Sequence, residues 1–468
     1  MSLLGPRITW ATGETVRPEL TFEPERCLGC LACVTACQRP EDPPEIDRLR
    51  IEPQEEGRYP FTRLRFKARY CLQCASAPCL SACPHQALYR SKEGIVVVNR
   101  KLCQGEGRCV AACPHGVLEV VFGQVQKCDL CLEDLKKGLL PRCVAVCPTG
   151  ALKINPSKGL KAQRLPEGEE RLVHTVCLAC NTRCGLRVLL KGNRLLRVDG
   201  NPYHPYNKKG SPLPYETPFK ESLSVPASTC AKPQMDNDYL HNPYRLKVPL
   251  KRCGPRGSGK FAPISWETLI REISEGGKLF SHLGDNRHYP GLKDFLRDDP
   301  LDPQAPELGP VRNRVVWLTG RSQPGRKHFI KRFVTKAVGS INHIPHTDIC
   351  GIGFRMGNFI LSDGKAVEFK ADPEEARYVI VFGSNFFSAL QPGPNAYAAR
   401  LLERVREGKA KYVIVDPRGH EALAHAHRWL PVRPGKDGAL AMGLLRVLLE
   451  EELFDRTFLE IPNLTVAQ

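Results

Sequence analysis

The sequence predicts a chain in three parts: a cysteine-rich α+β region, a small β-rich domain and a doubly wound parallel α/β domain. Three observations predict this division. Fifteen of the 21 cysteines lie in residues 1–165. A new cysteine group and two short strand patterns occupy residues 171–260, and apolar runs alternate with helical patterns over residues 261–468. A chain of 468 residues is long enough for about three ordinary domains.

The cysteines of the first region have the spacing of iron–sulfur ligands. Three closely spaced thiolates can hold one face of a four-iron cubane, and a cysteine three residues later reaches a neighbouring cluster. Zinc also binds CxxC pairs, but it rarely takes three such cysteines followed by Cys-Pro. The pattern therefore predicts ferredoxin-type [4Fe-4S] clusters rather than zinc sites or disulfides. The four groups are Cys27-x2-Cys30-x2-Cys33-x3-Cys37, Cys71-x2-Cys74-x4-Cys79-x3-Cys83-Pro84, Cys103-x5-Cys109-x3-Cys113-Pro114 and Cys128-x2-Cys131-x11-Cys143-x3-Cys147-Pro148.

The third group lacks one cysteine. A regular group would have cysteine at position 106, where the sequence has Glu106. A carboxylate is a harder ligand than a thiolate and holds iron less well. Three outcomes are open: Glu106 ligates the fourth iron, the site holds a three-iron [3Fe-4S] cluster, or the site holds no cluster.

A second kind of cysteine group opens the middle domain. It precedes two short strand patterns, 185–190 and 193–200, whose separation by two turn-forming residues predicts a hairpin. Its last cysteine lies farther along the chain and is followed by Lys232. The cysteines are Cys177, Cys180, Cys184 and the distant Cys230.

The third region alternates strand and helix patterns, which predicts a parallel sheet. Turns that follow the carboxyl ends of such strands commonly bind nucleotides. The segment 284–310 is rich in Pro and Asp and is expected to be a long surface loop. Cys253 belongs to no motif and is expected to be a packed thiol. The strand candidates are 315–320, 378–385 and 412–419, and the helix candidates are 325–338 and 395–407.

The first region resembles the four-cluster electron-transfer subunit of the dimethyl sulfoxide reductase family, such as the iron–sulfur subunits of polysulfide and tetrathionate reductases. The resemblance implies that the outer cysteine groups pair with each other, as do the inner groups. It implies a first site of Cys27, Cys30, Cys33 and Cys147, a second of Cys37, Cys128, Cys131 and Cys143, a third of Cys71, Cys74, Cys79 and Cys113, and a fourth of Cys83, Cys103 and Cys109 with Glu106.

The other two regions resemble the catalytic subunit of tetrathionate reductase and its relatives, which convert selenate and arsenic oxyanions. The resemblance lies in NPYHPYN (201–207), LPYETPFKESL (213–223), NPYRLKVPLKRCGPRGSGKFAPISWE (242–267), APELGP (305–310) and HTDICGIGFRMGN (346–358). Two features depart from the family pattern: the spacing to Cys230 is long, and Pro233 stands where the family has Gly.

This second resemblance implies the roles of individual residues. Cys177, Cys180, Cys184 and Cys230 would hold a fifth cluster, and Lys232 would assist electron transfer between that cluster and a pterin. Cys350 would ligate molybdenum or tungsten, for which a soft thiolate is suited. The contacts implied for molybdopterin guanine dinucleotide are Gly383, Ser384, Asn385, Asp416, Arg418, Gly435 and Asp437.

The function implied is reduction of a sulfur, selenium or arsenic oxyanion by electrons that pass through about five clusters. The family's catalytic chain continues beyond this sequence, so the α/β domain is expected to be incomplete and a partner chain to supply the rest. A membrane anchor subunit that oxidises quinol is a further implied partner. The alternative is a non-catalytic electron-transfer or partner-dependent subunit.

The bulk composition excludes some classes. The formal charge of +18 does not indicate nucleic-acid binding, because basic residues are spread along the chain and thiolate-bound clusters add negative charge. The sequence shows no signal peptide and no membrane-spanning apolar run. A cytoplasmic or peripherally membrane-associated protein is therefore expected.

Overall fold

The computed structural model describes residues 18–461, apart from 40–41, 43–44, 156–168, 181, 208–210, 224, 321–323, 366–367 and 389–396. The chain forms two compact units: Met1–Leu240 with Ala371–Gln468, and His241–Lys370. The division into three domains remains a prediction. Among the described residues, no helix is both long enough and apolar enough to cross a membrane.

The cysteine-rich region consists of short elements between the cysteine groups. β1 pairs antiparallel with β8, so the two ends of the region meet, and β2–β3, β4–β5 and β6–β7 are antiparallel pairs. The strands are β1 (Glu19–Phe22), β2 (Leu49–Glu56), β3 (Arg63–Tyr70), β4 (Leu88–Arg90), β5 (Val96–Val98), β6 (Glu119–Val121), β7 (Gln124–Gln126) and β8 (Leu152–Asn155). The helices are α1 (Ala32–Cys37), α2 (Pro78–Ser81), α3 (Arg108–Ala111), α4 (Leu132–Lys136) and α5 (Arg142–Ala145).

Local sequence explains why these helices are short. The residue before α1, α2, α3 and α4 is in each case left-handed, with φ between 38° and 78°. A left-handed residue bends the chain sharply at the point where the preceding cysteine loop meets the helix. At the other end, α2, α3 and α5 each stop shortly before a Cys-Pro pair, because the residue before proline is disfavoured in helical conformation. The three prolines are Pro84, Pro114 and Pro148.

The segment predicted as the middle domain contains a three-stranded antiparallel sheet. Its strands β9 (Glu170–Val176), β10 (Gly185–Lys191) and β11 (Arg194–Gly200) have the spatial order β11-β10-β9. The hairpin predicted from the sequence is confirmed as β10–β11. A 3-10 helix at Lys232–Met235 follows Cys230, and the α-helices here are α6 (Phe219–Ser222) and α7 (Asp236–His241).

The unit His241–Lys370 carries one parallel strand pair, β16 with β17. The expected long loop at 284–310 contains β15 and two 3-10 helices, Leu292–Phe295 and Pro306–Leu308. The strands are β12 (Leu250–Arg252), β13 (Phe261–Pro263), β14 (Gly276–Gly277), β15 (Tyr289–Pro290), β16 (Trp317–Thr319) and β17 (His343–Pro345). The helices are α8 (Trp266–Glu275), α9 (Pro324–Arg332), α10 (Thr347–Cys350) and α11 (Ile352–Leu361), and a π-helix at Phe333–Val338 extends α9.

The last part of the chain forms a parallel sheet in the order β18-β19-β20. Parallel strands with intervening helices are thus confirmed, while the doubly wound arrangement remains a prediction. A buried cluster that includes Tyr412, Phe386, Phe387 and Leu401 also takes in Leu28 from the first cysteine group. The elements are β18 (Tyr378–Phe382), α12 (Ala399–Arg406), β19 (Lys411–Val415), β20 (Arg428–Leu430), α13 (Asp437–Glu450) and α14 (Arg456–Leu459).

Candidate functional site

Four cavities in the cysteine-rich region are each lined by one of the ligand sets implied from the sequence. Their volumes, including the open space at each entrance, are about 350 Å³ for the first site, 380 Å³ for the second, 330 Å³ for the third and 280 Å³ for the fourth. The structure thus brings each set together, and ligation of iron by these residues remains a prediction. The sets are Cys27, Cys30, Cys33 and Cys147; Cys37, Cys128, Cys131 and Cys143; Cys71, Cys74, Cys79 and Cys113; and Cys83, Cys103, Glu106 and Cys109.

Short helices between the cavities explain why distant groups share a cavity. Cys33 lines the first cavity and Cys37, one turn later on α1, lines the second. The same exchange occurs at α5. Cys143, on this helix, lines the second cavity, and Cys147, just after the helix, lines the first. Because α1 packs against α5, the two cavities are neighbours. The first cavity takes Cys147 from the fourth cysteine group, and the second takes Cys37 from the first group.

The cavities favour a cationic guest. Burial raises the pKa of the Cys27, Cys30 and Cys37 thiols to about 12, and nearby thiols such as Cys147 and Cys131 add to the rise. Positively charged iron would offset both effects, and a soft thiolate donor set is the one that iron–sulfur clusters take. The residues present therefore fit such clusters. Among the described residues, no three His, Cys, Asp or Glu side chains converge at the spacing of a single-ion site.

Backbone N–H groups also point at the sulfur atoms. The N–H groups of Gly29, Leu130 and Ala151 donate to the Sγ atoms of Cys27, Cys128 and Cys147 at 3.4, 3.4 and 3.2 Å. Hydrogen bonds to cluster sulfurs stabilise negative charge there and are one of the factors that set a cluster's potential. These N–H groups would therefore stabilise the thiolate form of the three cysteines once a cluster is bound.

Glu106 lies at the fourth cavity in the place of the missing cysteine. Its Oε1 is 2.7 Å from Nε2 of His85, and its Oε2 is 3.2 Å from Nε of Arg108. The hydrogen bond from His85 is the main reason that the pKa of Glu106 is below its ordinary value. The side chain is thus held ionised by two neighbours that the sequence reasoning did not identify, although both flank predicted cluster cysteines.

The second cavity has charged walls that the sequence reasoning also missed. Arg39, Arg48 and Asp129 line it together with the cysteines. Nη2 of Arg39 lies 2.6 Å from Oδ1 of Asp129, and Arg48 forms a buried ion pair with Asp42. Each guanidinium therefore has its own carboxylate, so these groups leave little net charge at the cavity.

The fifth cysteine set lies beside the first cavity. The backbone N–H of Cys177 donates to the carbonyl of Cys184 at 2.8 Å. Burial raises the pKa of Cys184 to about 12, helped by Cys230, Cys180 and Cys177, so these four thiols are close together. The thiol of Cys230 also contributes to the raised pKa of Cys30, which places the fifth set next to the first.

A buried ionic network joins the middle domain to the cysteine-rich region. Asp134 on α4 accepts from Nε of Arg142 at 3.0 Å and lies 3.0 Å from Nη1 of Arg197 on β11. Arg197 also donates from Nε to Asp199 at 2.7 Å. Burial acts to raise the pKa of Asp134, but the charges of Arg197 and Arg142 lower it below its ordinary value. The carboxylate therefore remains ionised between two guanidinium groups.

The residues predicted to contact the pterin nucleotide follow three neighbouring parallel strands. Their common edge is the kind of place where open α/β sheets bind nucleotides. The amide of Asn385 donates to Glu421, and the backbone N–H of Arg418 donates to Oδ1 of Asp416 at 2.8 Å. The groups are Gly383, Ser384 and Asn385 after β18, Asp416 and Arg418 after β19, and Gly435 and Asp437 after β20.

The unit His241–Lys370 contains Cys350 at the end of α10, with its side chain exposed. Its backbone N–H donates to the carbonyl of His346 at 2.9 Å. Cys253 of the same unit is exposed as well, so the expectation of a packed thiol was wrong. Cys253 follows strand β12, which pairs with β13 in a short two-stranded hairpin that remains partly in contact with solvent.

Three families match successive segments of the chain. Residues 62–156 match the 4Fe-4S dicluster domain, residues 170–211 match the molybdopterin oxidoreductase Fe4S4 domain, and residues 317–460 match molybdopterin oxidoreductase. Together with the cysteine-lined cavities, these matches define an iron–sulfur protein with a molybdopterin-type region. Residues 170–211 and 317–460 thus resemble the two successive domains of molybdopterin oxidoreductases, and the matched families indicate iron–sulfur clusters and a molybdopterin with molybdenum or tungsten as cofactors.

Curated relatives include subunits of tetrathionate and selenate reductases. The tetrathionate reductase subunit from Archaeoglobus fulgidus is 34% identical, over 65% of this chain and 33% of its own length. The selenate reductase subunit from Mesobacillus selenatarsenatis is 32% identical, over 62% and 32%. The tetrathionate reductase subunit from Salmonella typhimurium is 33% identical, over 64% and 30%. The chain spans about a third of the length of these relatives.

Proposed function

We propose that this chain carries the electron-transfer sites and part of the catalytic site of a molybdopterin-dependent reductase for a sulfur, selenium or arsenic oxyanion. The observation that carries the proposal is the continuous succession of five cysteine sets. The last of these sets lies in the segment that precedes the pterin-type α/β region in the sequence. The relatives that support this substrate class are named for tetrathionate and selenate.

The order of the five sets follows from the contacts between their walls. α2 packs against α3 between the fourth and third cavities. Gln73, on the wall of the third, donates to the carbonyl of Cys128 on the wall of the second at 2.8 Å. α1 and α5 join the second to the first, and the N–H of Thr229 before Cys230 donates to Val146 before Cys147 at 3.3 Å. The order is therefore fourth, third, second, first and fifth.

Each group of residues has a separate task in this proposal. The cysteines would hold about five [4Fe-4S] clusters, with Glu106 at the irregular fourth site. When bound, such clusters transfer one electron at a time. Lys232 follows the last cysteine of the fifth set, and the backbone N–H of Lys232 donates toward the thiol of Cys230. Cys350 would ligate the metal, and the turns after β18, β19 and β20 would hold the guanine dinucleotide.

The proposal includes partners. A segment that corresponds to the remainder of the relatives' length, on this or another polypeptide, would complete the pterin site. A membrane anchor that oxidises quinol would supply electrons at the fourth cavity, which lies at the far end of the succession from the fifth set.

The test compares two exposed cysteines of the same unit. Cys350→Ser and Cys253→Ser would be made in protein that includes the remainder of the relatives' length, and each variant would be purified without oxygen. We expect Cys350→Ser to keep its iron but to lose reduction of tetrathionate or selenate by reduced methyl viologen. Cys253→Ser should keep both. Full activity in Cys350→Ser would rule out metal ligation by this residue, and a complex without molybdenum or tungsten would leave the non-catalytic alternative.

A further inference from the structure

Lys127 is a buried lysine between the second and third cavities. Its relative exposure is 4%. Its Nζ donates to the carbonyl of Cys128 at 2.7 Å and to the carbonyl of Val96. Cys128 lines the second cavity and Val96 lines the third. One ammonium group therefore touches the walls of both cavities.

The same two walls are joined by a second polar side chain. Gln73 donates from Nε2 to the carbonyl of Cys128, and its Oε1 accepts from the N–H of Val96, each at 2.8 Å. Gln73 is buried as well. Two buried polar side chains, Gln73 and Lys127, thus bridge the same two walls. Gln73 is neutral, so Lys127 adds a positive charge to this bridge.

A buried ammonium needs a compensating negative charge. Removing such an ion from water costs several kcal/mol, which carbonyl dipoles offset only in part. Within the part of the chain that the structure describes, no Asp or Glu side chain forms an ion pair with Lys127. The charge of Lys127 helps to lower the pKa of Asp129, but the carboxylate of Asp129 is already paired with Arg39, so the remaining groups near Lys127 that could be anionic are thiols.

The other charges at the second cavity are already balanced, whereas the wall of the third is contacted by one further cation, Arg90, whose Nη2 donates to the carbonyl of Cys74 at 2.8 Å. Arg39 pairs with Asp129 and Arg48 pairs with Asp42 at the second cavity. The residues that line the third cavity include no Lys, Arg, Asp or Glu. Lys127 is therefore a cation that contacts the walls of both the second and the third site, and among the described residues no carboxylate pairs with it.

We propose that Lys127 is the shared counter-charge of the second and third clusters and raises the reduction potentials of both. This inference rests on the proposed function, because it requires clusters at these two sites. A four-iron cluster bound by four thiolates is anionic, and reduction adds one further negative charge. A fixed cation in a poorly screened interior stabilises the reduced form more than the oxidised form.

The experiment separates charge from shape at one position. Lys127→Met and Lys127→Gln remove the charge, and Lys127→Arg keeps a cation. Lys67→Met, at an exposed lysine on β3, is the matched control. Iron per chain is measured on anaerobically purified full chain, and the clusters are titrated potentiometrically with electron paramagnetic resonance detection.

We expect the two neutral variants to keep their iron and to show lower midpoint potentials in two of the titrating steps. Lys127→Arg and Lys67→Met should titrate like the wild type. If both neutral variants lose iron while Lys127→Arg keeps it, a cation is still required at this place and the proposal stands. Full iron with unchanged potentials overturns it, as does loss of iron in Lys127→Arg, which would show that shape rather than charge matters. A wild-type chain without iron would refute the proposed function itself.

Discussion

His425 and Cys27 are joined by a hydrogen bond across 398 residues of sequence, with Nε2 of His425 lying 2.8 Å from the carbonyl oxygen of Cys27. Burial lowers the pKa of His425, so the ring is neutral. Because a carbonyl can only accept, Nε2 must carry the proton. The 3-10 helix Glu421–His425, which precedes β20, therefore holds the first cysteine loop from outside the cysteine-rich region.

The first prediction concerns this bond. His425→Leu leaves a partly buried carbonyl without its donor, at a cost of about 1–3 kcal/mol. We expect the first cluster to lose iron to a chelator faster than in the wild type. The rate is measured from the loss of visible absorbance. His425→Gln, whose amide can donate, should restore much of the resistance. His427→Leu, at an exposed neighbour, is the control, and equal rates in all variants would contradict the prediction.

A second prediction uses Gly29, between Cys27 and Cys30. It has φ +64°, and a Cβ there would lie 2.4 Å from the ring of Phe66 and 3.2 Å from Cγ of Glu421. Gly29→Ala should lower the iron content by about one cluster. Gly150→Ala is the matched control, since Gly150 has the same φ and nothing within 4 Å of its Cβ position. A left-handed alanine costs about 1–2 kcal/mol in both, so a difference in iron reports the clash alone.

The third prediction tests the network around Asp134. Asp134→Asn leaves the buried guanidinium of Arg197 with one carboxylate fewer, and loss of one partner from a buried pair costs about 3–5 kcal/mol. We expect denaturation at clearly lower guanidinium chloride concentration, measured by circular dichroism. Glu133→Gln is the control, because the Glu133 side chain is 78% exposed in its pair with Lys136. Similar midpoints for the two variants would show that the network adds no stability.

The fourth prediction concerns Glu106. Glu106→Cys should give the fourth site a complete thiolate set and replace its distinctive paramagnetic resonance spectrum with that of an ordinary [4Fe-4S] cluster. The iron content should rise by about one atom per chain if the natural site holds three irons. A spectrum that the substitution does not alter would mean that the side chain at 106 is not at the cluster.

The sequence predicted the elements that depend on local pattern. Regular cysteine spacing, Cys-Pro endings and the β10–β11 turn are visible in short windows, and the structure places the matching groups together. The exchange of Cys37 and Cys147 between cavities was implied only by resemblance to a family, because spacing alone does not say which distant group supplies a fourth ligand.

Other site residues had no local signal. Lys127, Asp134 and His425 are an ordinary lysine, aspartate and histidine in the sequence, and their importance arises from burial against partners that are distant in the chain or in another domain. The charges of Arg39 and Arg48 were counted in the net charge, but only folding shows that each is paired with a carboxylate.

The shared cavities also constrain the order of synthesis. Cys27, Cys30 and Cys33 meet Cys147 in the first cavity, and Cys37 meets the last group in the second. A ribosome must therefore translate past residue 143 before the second cavity has its full cysteine set and past residue 147 before the first has, whereas the third set is complete once Cys113 has emerged. Cell machinery that delivers iron would meet the inner sites ready first, and the outer two would be filled together only after the whole region had been released.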